Sequence, residues 1–302
     1  MAPELQWIDL RDPEEQALRA VLPGGIHETA LARILAPARD EPRPRLDAQG
    51  DYIFGVLAFP AVNATGALVF QEVDVIATLD VLITIRKTPP GHTACEFDDV
   101  RNAALRNGSP PGLCLHVVVD EIAERFLTMV DGFDESIDDL EDHVKDWPST
   151  EIRGQISTIR HDILHVRRVL APTRDAARAV LDDRVELDGD VSLFPRDIEL
   201  RFADAYDKLL RATDGLDLAR DLLAGVRDFH QAEIANDQNE VMKRLTVVAS
   251  VLLLPTFIVG LYGQNFKHIP ELAWAQGYGW SWAVILVTTS LQLWYFRRKR
   301  WI

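Results

Sequence analysis

The residues best suited to chemistry form a row that starts at Asp228 and ends at Gly260. The members recur every three or four residues, with one gap at 231–232, and therefore share one face of a helix. They are Asp228, Ala235, Asn239, Met242, Thr246, Ala249, Leu253, Thr256 and Gly260. The row is acidic first, then carries a carboxamide, and then becomes apolar and small, which suits the axis of a symmetric ion pore. The alternative is that any helix offers such a row by chance.

Patterns typical of enzymes are missing from the sequence, which has no nucleophile elbow, no P-loop and no zinc-hydrolase spacing. The two cysteines, Cys95 and Cys114, form no Cys-x-x-Cys pair and are expected to be free thiols. His161 and His165 have metal-ligand spacing, but the neighbouring arginines oppose a metal ion there. The sequence therefore predicts neither an enzyme nor a resident cofactor.

Two uncharged segments could carry a pore row through a membrane. Leu245–Leu261 is seventeen residues long, and Trp280–Phe296 has aromatic residues at both ends, as at a membrane interface. A buried hairpin in a soluble protein is the alternative, although helices of globular proteins rarely stay uncharged on all sides for this length. Two helices cannot enclose an aqueous path by themselves, so a pore requires several copies around one axis.

Basic residues flank both segments and predict their orientation. Lys243 and Arg244 precede the first, and Arg297–Arg300 follow the second. The positive-inside rule then places both termini in the cytoplasm and the loop 262–279 outside. We expect a multi-pass protein of the inner (cytoplasmic) membrane.

Charge is divided unevenly along the 302 residues, whose net charge is −15. From Lys243 onwards there are seven basic residues and one acidic residue, so this part is +6 and residues 1–242 carry −21. A body this acidic disfavours nucleic acid and suits a cation as partner.

The first half of the sequence predicts a small mixed α/β domain that ends near Asp99. Predicted strands, separated by turns at 60–66 and 78–80, are Tyr52–Phe59, Leu68–Val75 and Val81–Ile85. Predicted flanking helices are Asp12–Leu22 and His27–Leu35.

Helices follow this domain. Val117–Val144 has apolar residues at helical spacing and an acidic second half, and Glu151–Leu170 is rich in arginine and histidine, so the two suit a charge-paired hairpin. A long helix over about Asp197–Leu261 would enter the first membrane segment directly. The predicted fold is α+β, with a cytosolic domain over 1–196, a stalk helix over 197–244 and a two-helix transmembrane domain over 245–302.

The loop after the first apolar segment carries a family resemblance. Tyr262-Gly263-Gln264-Asn265-Phe266 is followed by Ile269-Pro270-Glu271-Leu272. The sequence resembles the CorA family of divalent-metal transporters, whose signature is Tyr-Gly-Met-Asn-Phe followed by Met-Pro-Glu-Leu. Asn239-Glu-Val-Met-Lys243, Leu254-Pro255-Thr256 and the stalk segment Phe202–Asp207 look like the family as well.

The resemblance implies a homopentamer that carries divalent cations down their gradient. The implied selectivity loop contains Gly263, Gln264, Asn265 and Glu271, and the implied pore row includes Asp228, Asn239, Met242, Leu253 and Gly260, to which the helical spacing adds Thr256. Asn265 is the implied contact for the transported metal ion, and Asp204 is implied to hold a regulatory one. A ring of asparagine oxygens can bind the water shell of Mg²⁺, which loses its waters reluctantly.

Three departures from the family pattern bear on the ion and on its regulation. Gln264 replaces the signature methionine, Lys267 stands where the family often has an acid, and 60–64 lacks an acid to oppose Asp204. The preferred reading is Mg²⁺ uptake with Co²⁺ or Ni²⁺ tolerated. The alternatives are a Zn²⁺ transporter of the same superfamily and a membrane-anchored scaffold or regulatory protein that does not transport.

Overall fold

The computed structural model describes residues 6–39, 41–63, 66–89, 98–106, 109–264 and 269–302. Its strands are β1 Gln6–Arg11, β2 Arg45–Gln49, β3 Tyr52–Val62, β4 Leu68–Ala77 and β5 Val81–Arg86. Its helices are α1 Glu15–Val21, α2 Glu28–Ile34, α3 Asp98–Arg106, α4 Pro111–His143, α5 Ser149–Leu181, α6 Arg196–Tyr262 and α7 Gly277–Arg298, with a 3₁₀ turn at Pro270–Ala273. Mixed sheet and long helices together make the α+β class that the sequence predicts.

The five strands form one sheet in the order β1-β5-β4-β3-β2. β1 runs parallel to β5, and the other pairs are antiparallel. The three predicted strands are confirmed as β3, β4 and β5, whereas β1 and β2 were not predicted. The turn predicted to begin at Pro60 is wrong, because Pro60 lies in β3 opposite Phe70. Beyond Val56, β3 has a strand neighbour on one side only, a setting that tolerates proline.

Both faces of the sheet are covered. Phe54 and Ile83 point to the side that packs against Leu18 and Leu31 of α1 and α2. The other face belongs to a larger core shared with the long helices, whose fully buried members include Ile53, Leu82, Phe126, Val166 and Phe202. Burial on both faces explains why β3 and β5 are almost continuous apolar runs, whereas β4 also contains buried polar residues.

Apolar packing joins α4 and α5. Ile122 and Leu140 of α4 share the large core with Ile152 and Ile163 of α5. The sequence predicts that the basic side chains of α5 pair with the acidic side chains of α4. Two arginines of α5 instead pair with residues outside α4. Arg167 lies 3.1 Å from Asp217 of α6, and Arg168 lies 2.9 Å from Glu41 in the loop before β2.

The chain divides into two units of dense internal contact, and the division falls within α6. We call Met1–Val226 the sheet unit and Arg227–Ile302 the hairpin unit. In the hairpin unit, Gln292 of α7 donates from its amide nitrogen to the Ser250 carbonyl of α6 at 3.4 Å. The boundaries predicted after residues 196 and 244 stay predictions.

Candidate functional site

The predicted pore row lies along α6, and all nine of its members are exposed. Another side of α6 packs within the hairpin unit, and its half-buried or buried members between 245 and 261 are Val247, Ser250, Val251, Leu254, Pro255 and Ile258. At about 100° per residue, the centres of the two faces are roughly 120° apart around the helix. The pore row is therefore separate from the face on which α6 packs in its own chain.

Exposure by itself does not distinguish the row. Leu252, Phe257 and Val259 lie beside it and are exposed to a similar degree. The row differs in chemistry, since it presents small or polar groups at Ala249, Thr256 and Gly260. One face of α6 is therefore suited to water or ions, and its neighbours are suited to lipid or to another apolar surface.

The two threonines of the row have their hydroxyl protons occupied. Thr246 donates to the Met242 carbonyl at 2.8 Å, and Thr256 donates to the Leu252 carbonyl at 2.7 Å. Each hydroxyl oxygen keeps a free lone pair that can accept a hydrogen bond. The threonines can therefore accept hydrogen bonds from the water shell of a cation, but their protons are committed to the helix.

Asp228 begins the row and is partly compensated. Arg227 lies 3.0 Å from its carboxylate, and both side chains are more than half exposed. An exposed pair of this kind holds together weakly, so the carboxylate stays available to a competing cation.

The predicted selectivity loop is described in part. Gly263 and Gln264 continue from the end of α6, with the Gly263 amide donating to the Val259 carbonyl at 3.0 Å. Both residues are exposed. Asn265, together with Phe266 and Lys267, lies outside the described residues.

Glu271 lies in the 3₁₀ turn after the loop and is half-buried. A side chain at Gly277, where α7 begins, would overlap the Glu271 carbonyl oxygen. This close backbone approach fixes the return of the loop into α7. The sequence analysis did not identify Gly277 as a structurally required glycine. The one sequence feature that could have indicated it is the pair of glycines in Gly277-Tyr278-Gly279.

Asp204, the predicted regulatory ligand, borders a cavity of about 730 Å³ in the sheet unit. The lining is His116, Asp120, Arg201, Asp204, Asp207, Lys208, Leu210 and Arg211. Its three carboxylates are therefore matched by two arginines and a lysine.

Lys208 is held by two carboxylates at this cavity. Its ammonium lies 2.7 Å from Asp120 and 2.6 Å from Glu124. Burial opposes the charge on Lys208, but the hydrogen bonds to both carboxylates outweigh burial and raise the pKa of Lys208. Asp120 is therefore already engaged by a cation that belongs to the chain.

His116 lines the same cavity and is buried. Its Nε2 is 3.0 Å from the Arg201 carbonyl, and burial lowers the pKa of His116. Within the described ranges, no group of three or more His, Cys, Asp or Glu side chains is arranged to hold a metal ion. The metal-binding role of Asp204 stays a prediction.

A cluster of buried charges in the sheet was not predicted. Lys87 lies 2.7 Å from Glu72 and 2.8 Å from Asp74, and Arg86 lies 2.6 Å from Asp9. Burial raises the pKa of Asp74 to about 6, although Lys87 opposes this shift. Glu72 and Asp74 are two positions apart on β4, so their side chains lie on the same face of the sheet. The sequence does not indicate that Lys87, the residue after β5, contacts both of them.

One helix among the described residues, α6, is long and apolar enough to cross a membrane. The second predicted span lies within α7, and its membrane crossing stays a prediction. Cys114 is a buried free thiol, as expected, and Cys95 lies outside the described residues.

The chain is similar to known proteins over nearly its whole length. The model of the family described as CorA-like Mg²⁺ transporter protein matches residues 3–298. The chain is 27% identical to the cobalt/magnesium transport protein CorA of Thermotoga maritima over 284 residues, covering 92% of this chain and 77% of that protein. It is 28% identical over 213 residues to the zinc transport protein ZntB of an Enterobacter species, covering 68% and 62%. The CorA magnesium transporter structure from Methanocaldococcus jannaschii shares the fold, with a TM-score of 0.78, 20% identity and coverage of 99% and 92%.

Proposed function

Because this chain belongs to the CorA-like Mg²⁺ transporter family, we propose that it is a channel-like transporter that carries Mg²⁺ into the cell. The observation that carries the proposal is the exposed row on α6, which lies apart from the face that packs within the hairpin unit. Co²⁺ and Ni²⁺ are tolerated substrates in this proposal. A relative named for cobalt and magnesium transport supports the Co²⁺ part.

The pore in this proposal is a homopentamer in the inner membrane. Five copies of α6 surround the axis, five copies of α7 form the outer ring, and both termini of each chain lie in the cytoplasm. The separation of the two faces of α6 supports this arrangement, because one face can meet the axis while the other packs on α7. The negative interior of the cell draws cations inward.

Asn265 is the proposed contact for the transported ion at the outer mouth. Five carboxamide oxygens can accept hydrogen bonds from the waters of Mg²⁺ without removing them. Gly263 and Gln264 precede Asn265, and Glu271 returns the chain to α7. From the mouth the ion would pass Gly260, Thr256, Leu253, Met242 and Asn239, and then reach Asp228.

Ion uptake into proteoliposomes that contain magnesium-sensitive and zinc-sensitive dyes tests this proposal. We expect Mg²⁺ influx in the wild-type protein and a loss of about tenfold or more in Asn265→Ala, since each lost hydrogen bond to a charged ligand costs about 1.5–3 kcal/mol. Asn102→Ala, an exposed asparagine on α3, is the matched control and should transport normally. Influx that is unchanged in Asn265→Ala would refute the role of the loop.

Zn²⁺ transport is the second candidate, and a specific observation favours it. A relative named as a zinc transporter matches 68% of the chain, and Gln264 departs from the signature methionine. The pore row contains neither histidine nor cysteine, the side chains that zinc sites usually prefer, and this favours Mg²⁺. Zn²⁺ influx with little Mg²⁺ signal in the same vesicles would reverse the order. No flux of either ion would favour the scaffold role.

Regulation by cytosolic metal is proposed to act through Asp204. A divalent ion between subunits would neutralise their acidic surfaces, and its loss would let the carboxylates repel one another and open the pore. Since Asp204 shares its cavity with Arg201 and Lys208, other copies of the chain would have to supply the remaining ligands. Asp204→Ala should weaken the inhibition of flux by Mg²⁺ inside the vesicles. Unchanged inhibition would remove Asp204 from this role.

A further inference from the structure

A second cavity, of about 660 Å³, lies in the hairpin unit, and we call it the basic cavity. Its lining is Asn236, Asn239, Glu240, Lys243, Arg244, Arg300, Trp301 and Ile302. Glu240, its only carboxylate side chain, is paired with Arg244. Among the described residues no anion is paired with Lys243 or Arg300, so these two cations of the lining have no described counter-ion.

The end of α7 holds Arg300 and Trp301 in a defined conformation. The Trp301 amide donates to the Phe296 carbonyl at 3.0 Å, and the Arg300 amide donates to the Arg297 carbonyl at 3.1 Å. These two bonds form a Schellman motif, in which the residue at the position of Arg300 is usually glycine. Arg300 has φ 55°, so an arginine occupies the left-handed position.

Ring stacking completes this cap. The rings of Trp301 and Phe296 are 5.7 Å apart and nearly parallel, and Phe296 is buried. The cap fixes the direction of the chain at Arg300 and places Trp301 at the wall of the basic cavity. The cavity is therefore built by an ordered helix end.

The basic cavity lies where the two apolar segments meet charged sequence. Lys243 and Arg244 directly precede the first segment, and Arg300 follows the second by a few residues. If α6 and α7 span the bilayer, as the proposed function requires, this is the level of the cytoplasmic lipid headgroups, and tryptophan is enriched at that level. The inference rests on the proposed function for this membrane placement alone.

We propose that the basic cavity binds the phosphate group of an anionic membrane lipid. Arginine and lysine supply charge-assisted hydrogen bonds to phosphate oxygens, and the amide of Asn236, which is not a member of the pore row, supplies a neutral donor. Basic pockets at the cytoplasmic ends of membrane helices are suited to such headgroups. A free phosphate ion has the same chemistry, so the test separates the two sources.

The test measures lipid binding to the purified full chain in a neutral detergent, with phosphatidylglycerol as the probe and phosphatidylcholine, a zwitterionic lipid of zero net charge, as the comparison. Native mass spectrometry gives the bound fraction at each lipid concentration. Lys243→Gln combined with Arg300→Gln should weaken phosphatidylglycerol binding about 30-fold, at about fivefold for each charge. The matched control, Arg298→Gln combined with Lys299→Gln, removes the same charge from residues that do not line the cavity. It should weaken binding by less than about threefold, since salt screens exposed charges that make no direct contact with the lipid.

Each other outcome overturns the proposal. Equal losses in the two double variants would show general attraction to the basic end of α7, and equal binding of the two lipids would show no role for charge. Displacement of phosphatidylglycerol by millimolar inorganic phosphate would assign the cavity to the free ion.

A third variant tests whether binding is lost because the charge is removed or because the cap of α7 is disturbed. Arg300→Gly removes the cation and suits the left-handed conformation, so it should keep the Schellman motif and still weaken binding about fivefold. Unaltered binding in Arg300→Gly would refute the role of Arg300.

The binding assay does not depend on transport. Absence of ion flux in vesicles, together with the predicted binding pattern, would count against the proposed function alone. Normal flux with equal binding losses in both double variants would count against the lipid site alone.

Discussion

The sheet unit and the hairpin unit distribute polarity in opposite ways. In the sheet unit, Phe126 is fully buried, and even the charged Lys87 and Asp74 are buried against each other. In the hairpin unit, Leu253 is 71% exposed and Phe257 is 64% exposed. The sheet unit thus satisfies its apolar surface internally. The hairpin unit leaves apolar side chains exposed, and exposed patches of this kind mark interaction surfaces.

The largest expected effect is a loss of stability when a phenylalanine is replaced by alanine in the sheet unit. The same replacement in the hairpin unit tests the contrast between the two units. Phe126→Ala should lower the free energy of unfolding of the sheet unit by about 3–5 kcal/mol, because it leaves a cavity in the core. Phe257→Ala should change that free energy by less than about 0.5 kcal/mol. Urea unfolding in mild detergent, followed by circular dichroism, measures both. Similar losses in the two variants would contradict the contrast.

The buried charges of the sheet unit predict a pH dependence. The pKa of Asp74 is about 6 in the folded chain against an ordinary value of 3.8, so the folded state holds the proton more tightly. The stability contributed by Asp74 is therefore present at low pH and is lost as the pH rises from about 4 to about 6. Relative to Asp74→Asn, the free energy of unfolding of the wild type should fall by up to about 3 kcal/mol between pH 4 and pH 7.

Urea unfolding at several pH values measures this difference. The exposed Asp51→Asn serves as the control for the same chemical change. The interpretation fails if the two variants follow the same pH profile.

The next largest effect is expected at the close contact between Gly277 and the Glu271 carbonyl in the hairpin unit. Gly277→Ala would push a methyl group into the Glu271 carbonyl, at an expected cost of about 1–3 kcal/mol. Opening of the loop should then make tryptic cleavage after Lys267 roughly tenfold faster, as followed by mass spectrometry. Gly279→Ala meets no atom within 4 Å and should cleave at the wild-type rate. Equal rates in both variants would show that the contact does not hold the loop.

The smallest effect concerns a polar side chain in the hairpin unit. Gln292 makes one long hydrogen bond at 3.4 Å, and its Oε1 atom has no partner among the described residues. Gln292→Leu should therefore change the free energy of unfolding by less than about 1 kcal/mol, since little hydrogen bonding is lost. Thermal unfolding in detergent, compared with Ser250→Ala, checks this. A large loss in Gln292→Leu alone would mean that Gln292 bonds to a group outside its own chain.

Local signals predicted much of the fold. The central strands, the α4–α5 hairpin and the length of α6 followed from apolar periodicity and from proline positions, and each is confirmed. The edge strands β1 and β2 did not follow, because they are short, contain charged residues and owe their conformation to partners elsewhere in the chain. In the pairing of β1 with β5, Trp7 lies opposite Leu82. These two residues are so far apart in the sequence that no local pattern indicates their pairing.

Some features of the candidate site were likewise predicted from the sequence, and others were not. The family followed from the segment Tyr262–Phe266, and the pore row followed from helical spacing along α6. Gly277 and the pairing of Lys208 with Asp120 could not be foreseen, because each depends on which backbone or side chain arrives from another element. The cap at Arg300 involves neighbouring residues only, but arginine is not the glycine that usually signals this motif.

The sequence by itself determined the family, the order of the helices and central strands, and which residues of α6 share a face. These properties depend on neighbours within a few positions, where covalent geometry and periodicity fix the outcome. Only the tertiary structure decided that Asp74 and Lys87 are buried together, that the pore row lies apart from the packed face of α6, and that Arg300 lines a cavity. These properties depend on distant segments that meet in space, and a contact between such segments leaves no mark in the spacing of either one.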